Sequence, residues 1–164
     1  MGRVLVTEKL AETGLELLRS AGHTVDVQLG LSPKELQQAI VGADGLIIRS
    51  ATQVDADLLA AADRLTVVGR AGVGLDNVDT AAATERGVIV ANAPTSNSIS
   101  AAEHTMAMIL ASARNVPQAH SALKVGRWER ADWKGVELNE KTLAIIGLGN
   151  IGGLVAQRLS LIHI

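Results

Sequence analysis

Short β-branched runs alternate with Ala- and Leu-rich segments along the first hundred or so residues of this chain. RVLVT (residues 3–7) and HTVDVQ (23–28) have the bounded apolar character of strands. Between them, Leu10, Gly14, Leu17, Leu18 and Ala21 recur at helical spacing as one face, and Gly22 marks the helix end. Ser32, Pro33 and Glu35 make an N-cap, first-position and first-turn pattern opening a helix through Ile40. GLIIRS (45–50), LTVVGR (65–70) and GVIVANA (87–93) supply three more strands, separated by helices near 55–62 and 79–86. Their apolar runs are continuous, which suits strands covered on both faces, as in a parallel sheet. Five strands alternating with helices predict a doubly wound α/β domain.

After Pro94 the pattern changes. Ser100 and Glu103 have capping-box spacing. Ala101, Ala102, Met106, Met108, Ile109, Leu110 and Ala113 then leave almost no polar side, which predicts a helix buried all round, between two domains or two subunits. A polar stretch bearing Trp128 and Trp133 (125–139) leads into LAIIGLGNIGGLVAQRLS (143–160), with the order strand, glycine turn, helix. The change of pattern divides the chain into residues 1–98 and 99–164.

Composition narrows this further. The chain is 48% hydrophobic, yet Phe and Tyr are absent and Trp occurs only twice, so the core has to be aliphatic. A net charge of -2 gives no basic field for nucleic acid and no cationic face for a membrane. With no cysteine, disulfides, thiolate metal sites and cysteine nucleophiles are excluded. The apolar run in the opening MGRVLVTEKL is too short for a signal peptide or a spanning helix, so a cytoplasmic protein is expected.

Gly147, Gly149 and Gly152 form G-x-G-x-x-G between an apolar run and a helical one. The spacing gives a tight turn, room for backbone to approach a pyrophosphate, and close helix–strand packing, with helix N–H groups free for phosphate. Such turns are common where strand meets helix, and the acidic ribose partner expected roughly 20 positions on falls past Ile164.

Ligands of open α/β sheets bind outside the carboxyl ends of the strands. Here those ends carry Arg49 and Ser50, then Arg70 followed by Gly72, Val73 and Gly74, then Asn92 leading to Asn97. Two arginine forks suit a small anion; equally, Arg49 and Arg70 would tie loops together by pairing with acids such as Asp44 or Asp76. Asp76 and Asp79 read as turn and N-cap residues. His104 reads as a packing residue of its helix, and His23, His120 and His163 show no metal-ligand spacing. Trp128 and Trp133 read as packing or interface anchors.

VVGRAGVGLDNVD (67–79), NAPTSNSISAAEHTMAMILA (92–111), GRWERADWKGVEL (126–138) and KTLAIIGLGNIGGLVAQRL (141–159), in that order, resemble the D-isomer specific 2-hydroxy acid dehydrogenases over essentially the whole chain. The resemblance implies a flavodoxin-like doubly wound substrate domain followed by the first βα unit of a Rossmann NAD-binding domain. Members with these motifs oxidise 3-phosphoglycerate to 3-phosphohydroxypyruvate with NAD, the entry to serine synthesis. Carried over by position, Arg49, Ser50, Arg70, Gly72, Val73, Gly74 and Asn97 become substrate contacts. Val73, Gly147, Gly149, Asn150, Ile151 and Gly152 become cofactor contacts. The helix at 100–113 and the Trp128/Trp133 segment resemble a homodimer interface, and anion binding is favoured for the two arginines. The family's catalytic arginine, glutamate and histidine fall later than this chain, and its tail (161–164) departs from the family. The expectation is therefore a truncated form, inactive alone, with no catalytic residue in the chain. Alternatives are another member, such as a glyoxylate/hydroxypyruvate reductase, or a non-catalytic anion-binding or dimerising fragment.

Overall fold

A computed structural model describes residues 1–160; the tail at 161–164, His163 included, lies outside the described residues. The chain divides into two compact units, Met1–Ser96 and the residues from Asn97 on. In the first, β1 (Arg3–Val6), β2 (Thr24–Val27), β3 (Gly45–Ile48), β4 (Val67–Arg70) and β5 (Ile89–Asn92) form one parallel sheet. Its order, β2-β1-β3-β4-β5, is the expected flavodoxin-like one. The crossovers are α1 (Glu12–Ser20), α2 (Pro33–Ala39), α3 (Ala56–Ala61) and α4 (Thr80–Glu85).

Strand alternation sorts the core into two layers. Leu5, Leu46, Ile48 and Val68 pack with Leu36 and Ile40 from α2 and its end, Leu58 and Leu59 from α3, and Ala83 from α4. On the opposite face, Val4 and Val6 pack on Leu15 of α1, with Leu10, Leu18, Val25 and Ile47 around them. This corrects the predicted face of α1: Leu15 is buried while Leu17 is 71% exposed. Leu15 and Leu18 lie three residues apart on one side of the helix, so the stripe runs through 15 and 18 instead of 14 and 17. The α1 face of the sheet is covered only in part, because Ile89 is 67% exposed and Val67 is exposed beside it. Coverage on both faces holds for β1 and β3 and fails at the β4–β5 side.

Local signals set the helix ends. Gly22, at φ +86°, ends α1 with Gly22 N–H donating to Arg19 O (2.9 Å) and His23 N–H to Leu18 O (3.1 Å). Ser32 opens α2 with the full capping box: Ser32 N–H donates to Glu35 Oε2 (2.8 Å), and Ser32 Oγ accepts from Glu35 N–H (3.4 Å). Asp55 and Asp79 cap α3 and α4.

The second unit holds α5 (Ser98–Ala113), α6 (Val116–Lys124) and α7 (Asn150–Ser160), with α5 packed on both others. Three expectations change here. The helix starts at Ser98 with Asn97 as its N-cap, so Ser100 sits inside it and forms no capping box. It is not buried all round: only Ser98 and Ala102 are buried, while Ile99, Met108 and Leu110 are exposed. The segment 143–146 pairs with nothing among the described residues, so it is not a strand. A strand is defined by its ladder, and no partner strand is among the described residues of this unit. No described helix is long and apolar enough to cross a membrane.

The amino edge of the sheet is tied by Arg3. Its guanidinium donates to Asp26 Oδ2 (2.7 Å), Ala39 O (2.8 Å) and Val41 O (2.8 Å), joining β1 to β2 and to the end of α2. The Arg3 hydrogen bond, against a smaller burial penalty, holds the Asp26 carboxyl below its usual range. A lowered folded value means this stabilisation is complete above the ordinary carboxylate range and lost as pH falls through the folded value. Arg3→Ala is expected to cost about 2 kcal/mol at about pH 7, and less at about pH 3. Urea midpoints of both proteins at the two pH values test this.

Candidate functional site

In a sheet of order 2-1-3-4-5, adjacent crossovers leave in opposite directions between β1 and β3, opening a crevice at the carboxyl end. A cleft of about 690 Å³ lies there. Thr7, Glu8 and Lys9 follow β1 into it, Arg49, Ala51, Thr52 and Gln53 follow β3, and Leu36 and Leu58 form an apolar wall.

The loop after β3 is fixed from two sides. Glu8 Oε1 accepts N–H bonds from Arg49 (2.8 Å), Thr52 (3.0 Å) and Ala51 (3.2 Å), and Oε2 accepts a second from Ala51 (3.2 Å). Burial alone would raise the Glu8 carboxyl; the N–H donors of Thr52, Arg49 and Ala51 outweigh it and hold it below its usual range. Asn77, 4% exposed, donates through Nδ2 to Arg49 O (2.9 Å) and Thr52 O (2.6 Å). The Thr7 and Thr52 hydroxyls lie 2.8 Å apart.

Arg70 stands on the neighbouring strand, its residue paired in register with Ile48. Its Nε is buried and has no hydrogen-bond partner among the described residues, and its guanidinium lies over Gly72, where a Cβ would collide with Nη1. The segment beyond is stitched to β5: Ala93 N–H donates to Gly72 O (2.9 Å) and Asn92 Nδ2 to Val73 O (2.7 Å). Val73 is 37% exposed. Neither Arg49 nor Arg70 forms an ion pair among the described residues. Asp44 instead receives Arg64 and the Arg3 backbone N–H. The loop-tying ion pairs are thus not seen among the described residues.

The placement of the predicted residues is mixed. Arg49, Ser50, Arg70, Gly72, Val73 and Gly74 share the carboxyl rim of the first unit, but of these only Arg49 lines the cleft. Asn97 belongs to the second unit, as the N-cap residue of α5 with no side-chain cap bond. His104 is exposed, so the expected packing role is not seen in this chain. Trp128 is 77% exposed, and Trp133 Nε1 is buried without a partner. Sequence reasoning missed Glu8 and Asn77. Glu8 lies two residues past β1, and Asn77 lies in the run GVGLDNVD; each was visible as a polar residue, but its backbone target was not.

In the second unit the glycine turn has the geometry of a phosphate cradle. Gly147 takes φ +92°, which only glycine adopts without strain. A Cβ on Gly152 would collide with Gly147 O, so α7 closes onto the turn only because position 152 has no side chain. A Cβ on Gly149 meets nothing within 4 Å, which leaves the open space a pyrophosphate needs. Asn150 and Ile151 begin α7 beside that space. Gly153 N–H is already bonded to Gly149 O (2.9 Å), so the free helix donors lie before it. The turn fits the diphosphate of a dinucleotide.

The D-isomer specific 2-hydroxyacid dehydrogenase catalytic-domain family matches residues 4–156. The D-3-phosphoglycerate dehydrogenase of Methanocaldococcus jannaschii is 51% identical over 96% of this chain and 30% of its own length. Among solved structures, the TT0316 protein from Thermus thermophilus aligns with a TM-score of 0.90 and 37% identity, over 97% of this chain and 53% of that one. An NAD+-bound 3-phosphoglycerate dehydrogenase from Entamoeba histolytica aligns with a TM-score of 0.78 and 29% identity, over 98% and 51%. The chain thus spans about 30% of the length of the curated relative it matches.

Adjacent glycines of the turn should respond in opposite directions. Gly152→Ala is expected to destabilise the second unit by about 1–3 kcal/mol through overpacking. Gly153→Ala, inside α7 with open space around it, should stabilise by about 0.5–1 kcal/mol. Denaturation midpoints of the two variants decide.

Proposed function

This chain belongs to the D-isomer specific 2-hydroxyacid dehydrogenase family, and we propose that it forms the substrate-gripping part of an NAD-dependent oxidation of 3-phosphoglycerate to 3-phosphohydroxypyruvate, the first step of L-serine biosynthesis. The observation that carries this reading is the pair of unpaired guanidinium groups, Arg49 and Arg70, at the carboxyl ends of adjacent strands beside the backbone of Gly72, Val73 and Gly74. A substrate with a carboxylate and a phosphate offers two anions to two forks, and each charge-assisted bond gains because neither arginine has to leave an ion-pair partner among the described residues.

In this reading Arg49, Arg70 and Ser50 bind the substrate's anionic ends. Gly72 and Gly74 offer bare backbone against its carbon skeleton. Gly147, Gly149 and Gly152, with the N–H groups at Asn150 and Ile151, would hold the cofactor's pyrophosphate. Bound NAD supplies the two-electron acceptor for oxidation at C2. We assign no residue of this chain to the proton transfer. The setting we propose is cytoplasmic.

We further propose that the protein is a homodimer or larger homo-oligomer through α5 and the Trp128/Trp133 segment. Ile99, Met108 and Leu110 are 58%, 57% and 46% exposed on one helix, with Trp128 exposed further along. These exposed apolar side chains support that reading.

Calorimetric titration should show that the chain binds 3-phosphoglycerate and prefers it to glycerate. Arg49→Ala and Arg70→Ala should each weaken binding about tenfold or more. Unchanged affinity in both variants would remove the reading. For the assembly, Met108→Glu is expected to lower the sedimentation-derived mass toward that of one chain; a wild-type protein already sedimenting as a monomer would refute the interface.

A further inference from the structure

The loop 49–52 presents three backbone N–H groups to one point, a geometry suited to an anion. Here a carboxylate from the protein itself fills that cradle. Four contacts of 2.8–3.2 Å from Arg49, Ala51 and Thr52 occupy both oxygens of Glu8. One of them comes from the backbone of Arg49, yet the Arg49 guanidinium makes no ion pair with Glu8. The loop's carbonyls are held in turn by Asn77, at Arg49 O and Thr52 O. The backbone on either side of the Arg49 side chain is thus clamped, while its guanidinium has no ion-pair partner among the described residues.

We propose that Glu8 is a positioning residue for Arg49: by filling the amide cradle with a built-in carboxylate, it fixes the loop and leaves the guanidinium as the point where a substrate anion binds. This rests on the reading of Arg49 as a contact for a phosphorylated hydroxy acid. A carboxylate with purely structural value would stabilise the loop without any coupling to the charge beside it. The distinguishing feature is that Glu8 should matter to the ligand only while Arg49 is present.

The test uses the 164-residue chain with 3-phosphoglycerate as probe. Glu8→Ala is expected to weaken binding about tenfold. It should add nothing further in an Arg49→Ala background, and added formate, but not chloride, should recover much of the loss. Glu8→Gln, which keeps the shape and loses the charge, provides a second variant if Glu8→Ala folds poorly, and should show a smaller loss in the same direction. Losses that multiply in the double variant, or wild-type affinity in both Glu8 variants, would overturn the inference while leaving the functional reading intact. A wild-type chain with no affinity for 3-phosphoglycerate would overturn the functional reading. In that case amide exchange at Arg49, Ala51 and Thr52 judges Glu8: faster exchange in Glu8→Gln supports the clamp, and unchanged exchange refutes it.

Discussion

The pairing of β3 with β4 is the constraint on which the rim depends. Ile48 and Arg70 are register partners, so the loop carrying Arg49 and the segment carrying Gly72 and Gly74 leave the sheet side by side. A slip by one residue would send Arg70 to the opposite face and Val68 out of the core. Register is held because Leu46, Ile48 and Val68 are all fully buried in the same layer, at 0% exposure. The aliphatic core therefore fixes where two charged groups leave the sheet. Arg49 is tolerable without an acid partner because it is exposed, where a cation keeps its hydration, whereas Arg70 is half-buried with its Nε out of reach of solvent.

What could be read from the sequence follows from what is local. Short apolar, β-branched-rich runs marked all five strands of the first unit, and Ser32, Asp55 and Asp79 act at helix starts where short polar side chains bond nearby N–H groups. Choices depending on distant residues were not legible. Leu15 and Leu17 are equally apolar, and only the sheet beneath decides that Leu15 is buried. Ser100 and Glu103 have capping spacing, but the helix begins earlier because Ser98 is itself buried and helical. The segment 143–146 reads as a strand by propensity, yet strand structure needs a ladder that its unit lacks among the described residues.

The candidate site divides along the same line. Arg49 and Arg70 were visible because they end strands, and the glycines because their spacing repeats a known geometry. Glu8 and Asn77 act on backbone atoms more than twenty residues away, at separations of 41–44 for Glu8 and 25–28 for Asn77. No local pattern distinguishes a carboxylate that will accept three distant N–H groups from one that will face water. Only the three-dimensional path of the β3 loop supplies the difference.

The two glycine-rich segments show why similar residues carry unequal weight. At Gly152 the absent side chain is a packing requirement, since backbone would occupy the same place. Any strand–helix turn this tight would impose it, with or without a ligand. Gly149 has open space on the side where its Cβ would point, so nothing in the fold requires glycine there. Gly72 is intermediate: the atom in its way is the end of the Arg70 side chain, which would move aside if a methyl group were added. Position 72 thus constrains where a cation sits more than whether the domain folds. Of these positions only Gly149 is open on the side where a side chain would point, whereas Gly72 is covered by the Arg70 guanidinium.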